Sequence, residues 1–290
     1  MRYFSGMRTG VVESRARTVG VFVLVGGVLL IAGSALGLAL TGNAGVRFTA
    51  DTDETIPMWN RWIPVVVGLL LVRLLPAPAT GVRSQRPSRL EAGVLLGSAV
   101  LFAVALRLAG GGEPAHILLK LALLLGVPLA MFWYAKRTGA TWRVPTAESI
   151  GWAPAVPVAA WLVLSYAGPW ALPASDLATT LDLGTLIAAL VVGCLANALL
   201  EEIFYRRWLQ SRWEAILGRW PAIVLSSVLW AGWHIAIQGT GDLPKDLASA
   251  FVNQGVLGLL LGYLWSKYRV LWPICTIHGA ANAVPVLLSL

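Results

Sequence analysis

Apolar residues run along this 290-residue chain in long blocks separated by short polar stretches. Blocks long enough to cross a hydrocarbon core, about 17 to 25 residues each, can be drawn at Val19–Leu40, Ile63–Ala79, Leu90–Leu108, Ile117–Ala135, Ile150–Gly168, Leu183–Ile203, Ala222–Gln238, Leu247–Trp265 and Trp272–Leu288. The second is short, holds Arg73 and ends in Pro-Ala-Pro-Ala-Thr. The pattern predicts an all-α, polytopic transmembrane helix bundle of eight or nine spans.

Composition agrees: 57% of the chain is hydrophobic and only 12% charged, against roughly 25% charged residues in soluble domains. The basic residues then orient the spans. Arg8, Arg15 and Arg17 precede the first; Arg83, Arg86 and Arg89 precede the third; Lys136, Arg137 and Arg143 follow the fourth. Arg206, Arg207, Arg212 and Arg219 follow the sixth, and Lys267 with Arg269 precedes the ninth. The intervening loops carry Asp51, Asp53, Glu54, Glu113, Asp176, Asp182, Asp242 and Asp246 against only Arg47, Arg61 and Lys245. The positive-inside rule places the N-terminus in the cytoplasm and, with nine spans, the C-terminus outside, as for an integral protein of a bacterial-type plasma membrane. Anionic headgroups at the cytoplasmic borders account for the net charge of +8, and no nucleic-acid partner is required. The first apolar run is longer than the core of a signal peptide and lacks a convincing cleavage site, so it reads as a retained span.

Polar residues divide the chain in two. Residues 1–170 are Val/Leu/Ala/Gly spans without a specific motif, whereas 171–290 hold the chemistry: the pair Glu201-Glu202, the embedded His234 and His278, and Asn197 and Asn282. Ionisable groups inside spans are costly and usually face a cavity or the bundle interior. On a helix Glu201 and Glu202 point about 100° apart. Glu202 stacks on Arg206 four residues later, leaving Glu201 without a cation nearby in sequence and therefore available as a general base. Both glutamates could instead face headgroups beside Arg206 and Arg207. His234 sits between Trp230, Trp233 and apolar residues, where it could bind a carboxylate or water or simply join helices; the two tryptophans could wall a cavity. His278 and Asn282 share a helical face across Gly279-Ala280-Ala281, which suits either oxyanion stabilisation or close helix packing. Asn197, four residues before Glu201, could line the same cavity. His116 is expected at the external interface, and Cys194 and Cys275 read as small hydrophobes.

In order, the chain reads Glu201-Glu202-Ile203-Phe204-Tyr205-Arg206, Trp230-Ala231-Gly232-Trp233-His234 and His278-Gly279-Ala280-Ala281-Asn282. This resembles the three-motif pattern EExxxR, FxxxH and HxxxN of the CPBP intramembrane proteases, which include the type II CAAX prenyl endopeptidases and the Abi or bacteriocin-immunity proteins. The resemblance spans about residues 180 to 290, and Trp230 stands where the family has phenylalanine. It implies that Glu201 and His234 activate water, that His278 and Asn282 meet the oxyanion, and that Glu202 and Arg206 brace the site. The substrate would be a membrane-associated peptide or protein tail. The expected reaction needs no cofactor; the alternative is a zinc ion held by Glu201, His234 and His278. A non-catalytic scaffold or immunity protein of the same fold is the main competing function, and a transporter a further one. Oligomeric state and substrate identity stay open.

One depth conflict is built into this reading. Glu201 falls near the cytoplasmic end of its span and His234 about twelve residues into the next, roughly 18 Å deep. A longer sixth helix would reconcile them, with Arg206 and Arg207 near water and the amphipathic stretch Arg206–Trp220 either continuing that helix or lying along the interface.

Overall fold

Backbone N–H and C=O groups in hydrocarbon must be satisfied within their own segment, so long apolar runs fold as helices. The computed structural model describes residues 3–50, 52–79, 88–139, 142, 144–147 and 151–290, with side chains from residue 14 onward. Asp51, Arg83, Arg86, Arg143 and Ile150 lie outside the described residues, as does the side chain of Arg8.

Helix α1 (Tyr3–Leu40) leads into an antiparallel hairpin of β1 (Gly45–Arg47) and β2 (Thr55–Pro57). Then come α2 (Met58–Leu74), α3 (Arg89–Leu108), α4 (Ala115–Arg137), α5 (Ala155–Tyr166) and the single turn α6 (Leu177–Thr180). The matched motifs fall on α7 (Leu183–Leu217), α8 (Arg219–Gln238) and α10 (Trp272–Leu287), with α9 (Leu243–Tyr268) between the last two. The fold is an all-α polytopic membrane bundle carrying one small hairpin.

Among the described residues, 6 helices are long and apolar enough to span: Ser14–Leu40 of α1, then α3, α4, α7, α8 and α9. This corrects the expected eight or nine. The other three blocks form helices of only 17 (α2), 12 (α5) and 16 (α10) residues, or about 18 to 26 Å against a core of about 30 Å. Hydropathy does not register where a helix stops. In the second block Leu75 turns extended because Pro76 follows it and disfavours helical backbone at the preceding residue. In the fifth, Ala167 is extended ahead of Gly168 and Pro169.

Helix α9 is the centre of the bundle, with 72% of its apolar window buried, and α1 is its rim, with 6%. A Cβ added at Gly258 of α9 would stand 2.9 Å from Ser227 Cβ on α8, so only glycine permits this approach of the two helices. The hairpin and α2 are fastened to α9 through polar contacts. Asn253 Nδ2 donates to the Arg47 carbonyl at 2.7 Å, Arg61 Nε donates to Asn253 Oδ1 at 2.8 Å, and Trp62 Nε1 donates to the Val252 carbonyl at 2.7 Å.

Helix α7 has 35 residues and continues past the expected end at Ile203 to Leu217. The stretch from Arg206 thus extends the sixth apolar helix, and Glu201 lies at mid-helix, which removes the depth conflict. Arg206, expected near water, is fully buried. Leu183, Ile187, Val191, Leu195 and Leu199, each four residues apart, are exposed along one face of α7, a stripe suited to lipid. Leu186, Leu190, Gly193, Asn197 and Glu201 line a cavity on another face. Either side of Glu201 the helix widens into π-helical turns, at Gly193–Leu199 and Glu202–Gln210. Such turns are rare and gather at functional sites.

Candidate active site

The cavity beside α7 has a volume of about 1110 Å³, and its walls include Asn197 and Glu201 of α7, Trp230, Trp233 and His234 of α8, and His278 and Asn282 of α10. Three helices therefore bring the three sequence motifs to one space. Trp230 is the hub. Its ring centroid lies 5.0 Å from that of His234 and 5.1 Å from that of His278, both edge-on. Its Nε1–H donates to Glu201 Oε2 at 2.6 Å. Phenylalanine could not make that bond, so the departure from the family motif gives Glu201 a donor.

Glu201 is 1% exposed and has a cation that sequence reasoning missed. Lys120 Nζ, on α4, donates to Glu201 Oε1 and to Asn197 Oδ1, each at 2.5 Å. The ammonium also lies 4.7 Å from the Trp233 ring centroid. Glu201 is thus compensated by the half of the chain that had shown no motif. The available signal was a lone lysine inside an apolar block, Leu118-Leu119-Lys120-Leu121, where a charge is expensive unless paired.

His234 stacks on Trp233 with ring centroids 3.9 Å apart. Its Nδ1 is 2.9 Å from the Trp230 carbonyl oxygen, which only accepts, so the hydrogen-bond network assigns the proton to Nδ1 and leaves a lone pair on Nε2. His278 Nδ1 is 2.8 Å from Glu202 Oε1, and a carboxylate likewise makes Nδ1 the donor. His278 Nε2 can then donate only when both ring nitrogens are protonated.

Glu202 and Arg206 stand behind the cavity wall. Arg206 NH1 donates to Glu202 Oε1 at 2.9 Å, with both side chains 0% exposed, and the guanidinium lies 4.4 Å from the Trp230 ring centroid. The i,i+4 pairing expected from sequence is present, and it orients His278 as well as Arg206. Asn282 lines the cavity one turn beyond His278, half-buried. His116 is buried, lines the cavity, and its ring lies 5.3 Å from that of Trp233, with Nδ1 3.0 Å from Glu113 Oε1. The first turns of α4 are drawn inward because Phe102 and Trp233 offer aromatic faces on which the imidazole rests.

Among the described residues no group of three or more His, Cys, Asp or Glu side chains is arranged to hold a metal ion. A zinc held by Glu201, His234 and His278 would have to approach a carboxylate whose Oε1 already meets an ammonium and whose Oε2 already meets an indole N–H.

Residues 183–284, about a third of the chain, match the family model described as Type II CAAX prenyl endopeptidase Rce1-like. That third is a CAAX protease-like domain, and it contains all three motif segments. Lys120 and His116 lie outside it. No curated protein and no solved structure matches the chain.

Proposed function

We propose that the protein is an intramembrane endopeptidase that hydrolyses a peptide bond in a membrane-associated peptide or protein tail, with Glu201 as general base. The observation that carries this reading is the meeting of the Glu201, His234 and His278 side chains around the Trp230 ring in one cavity. Water sits between the Glu201 carboxylate and the Nε2 lone pair of His234. Glu201 takes one proton, and the hydroxide attacks the substrate carbonyl. His278 and the Asn282 amide donate to the oxygen of the tetrahedral intermediate, His278 in its doubly protonated form with Glu202 as countercharge. Collapse breaks the C–N bond, and Glu201 returns its proton to the leaving amine. No step is routed through a metal, and Lys120 supplies a cation against Glu201.

The apolar face that α7 turns to the cavity suits an apolar substrate segment, while the polar groups cluster where the bond would be cut. Comparison of membrane peptides from cells carrying the intact protein and a Glu201→Ala variant tests the function. A product present only with the intact protein identifies the substrate, and identical peptide sets would refute an endopeptidase.

Trp230→Phe returns the second motif to the family's residue and isolates one bond. It keeps an aromatic ring between the histidines but removes the donor to Glu201 Oε2. Hydrogen bonds to charged groups contribute about 1.5 to 3 kcal/mol, so kcat/KM is expected to fall about 10- to 150-fold. Steady-state cleavage of the identified peptide in detergent checks this, and an unchanged kcat/KM would remove Trp230 from the positioning of the base.

A further inference from the structure

Lys120 is 0% exposed, and a buried ion costs several kcal/mol of solvation even after the surroundings relax. A leucine, like its neighbours in the sequence, would fill this place without that cost. The ammonium touches Glu201, Asn197 and Trp233. All three line the cavity, and Lys120 does not. It braces the wall from behind, through three different lining side chains. It also opens the π-helical stretch Lys120–Gly126 of α4, while Asn197 lies in that of α7, so locally widened turns bring both ends of this contact together.

We infer that Lys120 is a positioning residue for the cleavage reaction, an ammonium built into the wall that fixes the Glu201 carboxylate and the Asn197 amide toward the cavity. The inference rests on the proposed peptidase activity for its kinetic meaning. One Glu201 oxygen is held by Lys120 and the other by Trp230, so the carboxylate plane is fixed by two donors from two helices. Without the ammonium only the Trp230 indole N–H holds the carboxylate, and one donor no longer fixes its plane. Misplacement of a reacting group by about 1 Å can cost a hundredfold in rate.

The test is Lys120→Ala, with methyl-, ethyl- and propylammonium as probes. Cleavage of the peptide found in the Glu201→Ala comparison is expected to lose about a hundredfold in kcat with KM nearly unchanged. An alkylammonium of the right length is expected to restore part of it while leaving the intact protein unaffected. In parallel, the same ion is expected to raise the melting temperature of Lys120→Ala but not of Lys120→Ala/Glu201→Gln. A parent-like kcat in Lys120→Ala, or a loss that none of the three ions reverses together with no melting response, overturns the inference. Should Lys120→Ala fail to fold, Lys120→Arg keeps the charge but displaces the nitrogen. A fall in kcat without a fall in melting temperature is then expected, and a parent-like kcat overturns the role. Should the intact protein cleave nothing, the peptidase reading fails, and the melting measurements still decide whether Lys120 and Glu201 form a specific cation site.

Discussion

Glu201→Gln is expected to lower kcat by about a hundred- to ten-thousandfold, the range a positioned general base contributes. The amide cannot take the proton from water. It also creates a local conflict, because Lys120 and Trp230 both donate to this side chain, and an amide offers one acceptor oxygen where the carboxylate has two. One donor must face an NH₂ group, and Lys120 is left buried with only Asn197 as an acceptor among its described contacts. The variant should therefore lose stability as well as rate. Glu201→Gln/Lys120→Met separates the two effects: thermal unfolding in detergent should recover while cleavage stays lost. A Glu201→Gln protein that cleaves at the parent rate would exclude the assigned base.

Arg206→Met is expected to be the most destabilising single change in the bundle. The guanidinium is fully buried and joins Glu202, beside His278, to the face of Trp230. Breaking a buried pair by removing one partner costs about 3 to 5 kcal/mol, because the other charge remains without water. At this chain length that corresponds to a fall of about 10 °C in melting temperature. Arg206→Met/Glu202→Leu removes both charges and should recover much of the fall, although His278 then loses the acceptor at Nδ1. Cleavage should stay impaired in the double variant even where stability returns. A single variant that melts with the parent would show that Glu202 does not depend on Arg206.

The sequence disclosed the site in proportion to how local its contacts are. Glu202 with Arg206 follows from helical spacing, and His278 with Asn282 lies on one helical face for the same reason. That α7, α8 and α10 converge came from motif order and resemblance, since nothing in spacing makes separate helices meet. Lys120 was illegible because its partner is 81 residues away and a single lysine in an apolar block resembles a side chain reaching for headgroups. The burial of His116 was illegible for a related reason: its position at a helix start says which end of the bundle holds it, and the Phe102 and Trp233 rings it packs against belong to other helices. The span count erred in the second and fifth blocks, where helices stop next to prolines in runs that hydropathy treats as continuous, and in the ninth because its helix, though nearly as long as the block, has only 16 residues. Helix α7 runs on past its apolar block, as a longer sixth helix requires, and its second half swaps apolar side chains for buried charges: Arg206 finds Glu202 at helical spacing, whereas Arg212 with Glu91 and Glu214 with Arg269 are paired only in three dimensions.

The two faces of α7 give the bundle an unusual boundary. Over its first four turns a single helix divides acyl chains from the chamber, with leucine, isoleucine and valine outside and leucine, glycine and asparagine inside. Among the described residues, no second layer of protein covers that partition along its exposed apolar stripe. The rod that holds the carboxylate in place is thus also the one that meets the surrounding lipid.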